Sequence, residues 1–114
     1  MARTNATKEA AALAVTGLGA YISLHTGDPS TTGANEATGG SPAYARQLTT
    51  WTAGSSDGVV NGSQVTIDVP AGTYTYAGQW TASSGGTFIQ SVVITSTTLG
   101  AQGQIKVTPT DTES

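Results

Sequence analysis

The sequence predicts a mainly β protein, an antiparallel β-sandwich or open barrel with one short N-terminal helix. Three observations carry that expectation. Apolar and polar residues alternate with period two over much of the chain after Tyr21, as where Val65, Ile67 and Val69 interleave with Thr66 and Asp68. Threonine, serine, glycine and alanine fill more than half of the chain, and only 10% of residues are charged, a composition suited to strands with one buried and one hydrated face. Alanine is concentrated in a single proline-free stretch near the N-terminus. At 114 residues the chain should form one domain over 1–114, with the helix at about 6–17, the sandwich at about 21–110 and an acidic tail at 111–114 that either frays or clips onto a neighbour.

The helix is expected from Ala6 to Gly17, capped by Asn5, with Glu9 in its first turn and Gly17 and Gly19 marking its end. Ala11, Val15 and Leu18 follow at i, i+4 and i+7, a narrow apolar stripe to pack on a sheet or a neighbour. In the next strand Ile22 and Leu24 point one way, and Ser23 and His25 the other. Residues 26–43 are a long loop of Gly, Pro, Asn, Thr and Ser, of the kind that is functional or ordered by a partner. Tyr44 to Ala53 reads as a strand, and Asp57-Gly58 and Asn61-Gly62 as turns. Val65 to Val69 is a half-buried strand stopped by Pro70. Tyr74, Tyr76, Gly78 and Trp80 should share one face, and Phe88, Gln90, Val92 and Ile94 another. With a turn at Ala82–Gly86 between them, they make the clearest hairpin of the chain. Ile105, Val107 and Pro109 give the last of six or seven strands.

Composition excludes several function classes. The net charge is −3, and Arg3, Lys8, Arg46 and Lys106 are too scattered to make a basic stripe, so no nucleic-acid partner is expected. The most apolar run, Ala10 to Tyr21, is too short and glycine-broken to span a bilayer, so no membrane partner is expected either. Without cysteine there is no disulfide framework and no thiolate site. The low charge is better suited to a surface hidden in an assembly, as in a homo-oligomer, than to a free monomer.

Constellations that would carry chemistry are sparse. His25, the only histidine, could act as a base with Asp28 or Glu36 orienting it, but no second histidine and no nucleophile elbow accompany it. The competing expectation is that it ends a strand and hydrogen-bonds the following loop, so that His25→Ala would cost about 1 kcal/mol. Asp28, Glu36 and Asp57 do not match a calcium loop, and Asp68 has no acidic partner at hairpin range. Gly17-Leu-Gly19 lacks the third glycine of a phosphate cradle. No catalytic, metal or cofactor residue is therefore assigned. Trp51, Trp80, Tyr44, Tyr74 and Tyr76 could form a platform for a host glycan, or could fill the core. Arg46 is expected to pair with an acid or guard a strand edge. The hairpin residues Tyr76, Trp80, Phe88, Val92 and Ile94 are expected to be the centre of stability.

One ordered set of residues carries a resemblance. Leu24-His-Thr-Gly-Asp-Pro29, then Gly33, Asn35 and Glu36, the break Gly39-Gly-Ser-Pro42, Tyr44-Ala-Arg46 and Trp51 follow one another. Later come Gly78-Gln-Trp80 and Ser84-Gly-Gly-Thr-Phe88. In this order, over about Leu13 to Val107, the chain resembles small virion structural proteins of tailed bacteriophages, often labelled tail-fibre or minor virion proteins. The resemblance implies a virion location, no catalysis, and contacts with major capsid or tail proteins. The absence of a heptad or collagen-like shaft repeat favours capsid-surface decoration over a tail-fibre component, with host-glycan recognition as a further alternative. The loop 26–42 and the helix are the expected assembly surfaces, the loop taking a fixed structure only from a neighbour.

Overall fold

The computed structural model describes residues 3–53 and 58–112. Asp57, expected in a turn, lies outside them, as do Glu113 and Ser114 of the expected tail. Among the described residues there are one helix and nine strands, and every strand pairing is antiparallel. The fold is mainly β and sandwich-like, without a closed barrel among these residues.

Helix α1 spans Asn5–Thr16. Its cap is Thr4 rather than Asn5: the Thr4 hydroxyl accepts the Thr7 N–H at 3.2 Å and satisfies one of the orphan donors of the first turn. The buried face is Glu9, Ala12 and Thr16, not the expected stripe of Ala11, Val15 and Leu18. Leu18 lies beyond the helix end at Gly17, where helical periodicity no longer applies, and it is exposed. The face that does pack is small and polar. Glu9 accepts the Gly58 N–H, and Thr16 donates back to the Ala12 carbonyl.

The strands are β1 Tyr21–His25, β2 Gln47–Leu48, β3 Trp51–Ala53, β4 Val59–Gly62, β5 Val65–Val69, β6 Gly72–Trp80, β7 Phe88–Leu99, β8 Gly103–Val107 and β9 Thr110–Thr112. They form a sheet in the order β2-β1-β6-β7, a second in the order β3-β4-β9, and the ribbon β5-β8. The register explains the core. Val65 lies opposite Val107 and Ile67 opposite Ile105, so alternation puts these side chains and Val69 on one face of the ribbon. That face meets Ile22, Leu24, Tyr74 and Ala77 of the four-stranded sheet, and together they make the hydrophobic core.

Several expectations are corrected by packing. The strand expected over Tyr44–Ala53 is two short strands, interrupted where buried Thr49 bonds Ala20 through its backbone and Ser63 through its hydroxyl. Asn61-Gly62 is not a turn but lies within β4. A Cβ at Gly62 would sit 2.6 Å from both Pro109 Cγ and Thr49 Oγ1, so glycine serves close approach there. Pro109 follows β8 rather than ending it, and the chain returns as β9 with Asp111 opposite Val60. The described start of the expected tail is therefore a paired strand. The shared face of Tyr74, Tyr76, Gly78 and Trp80 is broken by a register irregularity between Tyr74 and Tyr76. Tyr74 joins the core with Ala77, whereas Gly78 and Trp80 pack on the opposite side of the sheet against Ser23. The hairpin connection runs over 81–87, closed by Thr81 N–H to Thr87 O and Thr87 N–H to the Thr81 hydroxyl. Val92 is 52% exposed, which removes it from the expected stability centre.

Candidate functional site

Both faces of β1 are buried. One supplies Ile22 and Leu24 to the core, and the other carries Ser23 and His25 beneath the loop of residues 26–43. The loop returns alongside β1, where Thr26 N–H donates to Asn35 O and Ala37 N–H to Leu24 O, with Glu36 bridged to His25. Its bends are made by its own residues. Asp28 accepts the Ser30 N–H, Asn35 donates to Asp28 O, and Pro29 O accepts from Thr32, Gly33 and Ala34. The expectation that only a neighbour could give this loop a fixed structure is thus corrected: the polar side chains that made it look solvated are the ones closing its turns.

His25 ends β1 and bonds the loop that follows. Its Nδ1 lies 2.8 Å from the Ala34 carbonyl, which can only accept, so Nδ1 carries the proton. Nε2 then accepts from the Ser23 hydroxyl at 2.7 Å, and Ser23 Oγ in turn accepts the Trp80 indole N–H at 2.9 Å. Every donor and acceptor in this chain is used. Desolvation by burial pulls the His25 pKa below the ordinary histidine value, outweighing the Ala34 carbonyl and the Glu36 charge, which favour protonation. Ser23 and His25 are fully buried.

Above this layer sits Arg46. Its Nε and one terminal nitrogen grip the two Glu36 oxygens at 2.7 and 2.9 Å, and the other terminal nitrogen donates to Ala82 O and Gly85 O at 3.0 and 2.8 Å. The guanidinium carbon stands 3.5 Å from the Trp80 ring centroid, a cation–π contact. Tyr44 donates to Glu36 at 2.7 Å while its oxygen accepts the Leu24 N–H. Burial alone would raise the Glu36 pKa, but the Arg46 and Tyr44 donors hold it below the usual carboxylate value. The Tyr44 hydroxyl is driven far up by burial and by the same carboxylate. Phe88 packs edge-on to Trp80, with centroids 5.1 Å apart. Gly33, at φ 77°, lies against the indole: a Cβ there would sit 2.5 Å from Trp80 Cη2.

The sequence-derived candidates therefore separate into distinct places. His25, Glu36, Tyr44, Arg46 and Trp80 converge on one corner. Asp68 is remote and takes the Gln104 amide across the ribbon, not an acid. Trp51 donates its indole N–H to Gly19 O, and Tyr74 is core. With Tyr74 and Trp80 buried, the five aromatics form no common platform. Sequence reasoning missed Ser23 and the glutamines Gln79 and Gln90. Ser23 was legible through the i, i+2 alternation that puts it beside His25, whereas the glutamines had no local signal.

Eight of the residues that carried the phage resemblance, His25, Gly33, Asn35, Glu36, Tyr44, Arg46, Trp80 and Phe88, lie among those that hold the loop, β1 and the β6–β7 hairpin together. The family model described as podophage GP4 fiber I protein gp80 matches residues 4–113. The chain belongs to this fibre-protein family. It is accordingly a fibre-like bacteriophage structural protein located in the virion. No curated protein and no solved structure matches the chain. In this family member, these residues make hydrogen bonds and packing contacts between the loop, β1 and the hairpin.

Proposed function

We propose that this protein is a non-catalytic fibre subunit of the phage, present in many copies and working through contacts with other virion proteins. The match of the fibre family over residues 4–113 carries this reading. The structure supports it by how its polar residues are spent: the only histidine is sealed and its hydrogen bonds are complete, and the Glu36–Arg46 pair is committed to bracing the loop. The body is elongated, 46 × 24 × 24 Å, and the loop and the hairpin connection, joined by Arg46 to Glu36, Ala82 and Gly85, offer one continuous surface to a neighbour.

Gold-labelled antibody against this protein, applied to intact virions, tests the placement, and quantitative mass spectrometry gives the copy number. Labelling confined to the tail region supports the fibre assignment. Labelling distributed over the head, with hundreds of copies per particle, would replace it with capsid-surface decoration. A hydrolytic activity on peptidoglycan or polysaccharide that is lost in His25→Gln would overturn the non-catalytic reading.

A further inference from the structure

On the core-facing side of the four-stranded sheet, the ribbon β5–β8 leaves part of the surface uncovered. A groove of about 470 Å³ runs there between β7 and the segment linking β8 to β9. Trp51, Val92, Val107 and Pro109 are among its apolar walls, and Gln79, Gln90 and Asp111 are its polar lining. We propose that this groove is a docking site for a lysine or arginine side chain presented on an extended segment of a different virion polypeptide.

The first argument is an unmet hydrogen-bonding requirement. Asp111 is 5% exposed; its Oδ1 accepts the Gln90 amide at 2.8 Å, and its Oδ2 is buried with no partner. A buried carboxylate oxygen without a donor is costly and rare. Gln90 cannot supply a second donor, because its amide nitrogen is shared between Asp111 Oδ1 and Gln79 Oε1, both at 2.8 Å. Gln79 donates to Val15 O and Gly19 O and is equally committed. The polar floor thus offers acceptors and negative charge, and among the described residues no Lys, Arg or His lines the groove. The missing component is a cationic donor. Apolar walls around one carboxylate suit a long aliphatic stem with a charged head.

The second argument concerns the backbone of the occupant. β7 is the outer strand of its sheet, and none of the twelve residues Phe88–Leu99 is charged or proline, the residues that commonly protect exposed edges. Val92 and Val93, 52% and 67% exposed, stand at its middle beside the groove. An extended segment can pair with this edge while an alternate side chain enters the groove, as in strand-addition recognition. The occupant is assigned to a different chain because of where this chain keeps its own cations. Within one molecule Arg46 is locked to Glu36, Arg3 is engaged in an interaction of its own, Lys8 lies on the helix, and Lys106 is exposed on the face of the ribbon opposite Ile105 and Val107, away from the core side on which the groove opens. The assignment uses the virion location but not the choice between tail and head.

The test uses the free protein and two capped pentapeptides, both with central residue flanked by valines: one with lysine at the centre, the other with norleucine, which keeps the stem and lacks the ammonium. Chemical shifts of the Gln90 side-chain amide, the Asp111 amide and the Trp51 indole report binding. The lysine peptide should shift these signals saturably, and norleucine should weaken binding at least tenfold. Asp111→Asn should cause the same loss. Val92→Lys, at an exposed position where folding is not at risk, should abolish peptide binding by letting its own ammonium reach Asp111. Equal binding of both peptides, shifts confined to other surfaces, or binding that survives both variants would overturn the proposal. Self-association that either variant abolishes would make the occupant a second copy and overturn the assignment to a different chain. These measurements on isolated protein stand or fall separately from labelling on virions.

Discussion

Replacing Arg46 with alanine should unfasten the corner that holds the loop to the sheet. The side chain is only 8% exposed and its partner Glu36 21%, so the pair is substantially withdrawn from water without being sealed. Four hydrogen bonds are lost, two to the carboxylate and two to the carbonyls of Ala82 and Gly85. Gly85 is exposed, so water replaces the donor there at little cost. Glu36 is left with Tyr44 as its remaining strong donor. Removing one member of a buried pair costs about 3–5 kcal/mol, and the partial exposure of Glu36 places this case at the lower end. The lost stacking on Trp80 adds on the order of 1 kcal/mol. A total of about 3–4 kcal/mol is expected, a third or so of the stability of an ordinary small domain. At roughly 4 °C per kcal/mol for a domain of this size, Tm should fall by about 12–16 °C. Arg46→Lys keeps the charge but not the fork, and should recover less than half of the loss. Urea unfolding followed by tryptophan fluorescence measures these changes, and a double-mutant cycle with Glu36→Ala should return about 1–3 kcal/mol of coupling. A loss below about 0.5 kcal/mol, or a lysine variant as stable as the parent, would refute the clamp.

Three further outcomes follow from the same corner. Gly33→Ala should cost roughly 3 kcal/mol, from a Cβ forced against Trp80 and from the left-handed backbone at φ 77°, and thermal melts will show it. His25→Ala should exceed the 1 kcal/mol expected from sequence and cost about 2–4 kcal/mol, because it opens a void and strands Ser23 and the Ala34 carbonyl; chemical denaturation decides between the two figures. Stability should decline on acidification in two stages. The folded-state pKa of His25 is lowered, so the unfolded chain binds a proton first, and its contribution, full above pH 6.5, is lost as pH falls from there towards the folded value. Glu36 is also lowered, so its contribution is full above about pH 4.5 and lost as pH falls through its folded value; Tm measured against pH in His25→Gln should lack the upper stage only.

The separation between what was legible in the chain and what was not follows the range of the forces involved. Period-two alternation and turn chemistry act over a few residues, so the β class, the Val65–Val69 strand, the hairpin and the approximate helix were readable directly. The ordered spacing from His25 to Phe88 likewise pointed to the phage family. The side to which each residue turns was decided elsewhere. Tyr74 and Trp80 keep even spacing yet lie on opposite sides of their sheet, because a ladder irregularity between Tyr74 and Tyr76 resets the alternation, and no local pattern announces it. Glu9, Ala12 and Thr16 are buried in place of the more apolar stripe because the helix meets the Gly58 backbone, which needs an acceptor and little volume. Asp111 looked like part of an acidic tail that frays or clips onto a neighbour and is instead a buried residue of an outer strand, since β4 had an open edge to pair with. The loop 26–43 looked solvated because its residues are polar. Only the tertiary structure puts Glu36 within reach of Arg46 and Gly33 under the Trp80 ring, contacts between positions ten and forty-seven residues apart whose stabilisation depends on desolvation that the linear chain does not contain.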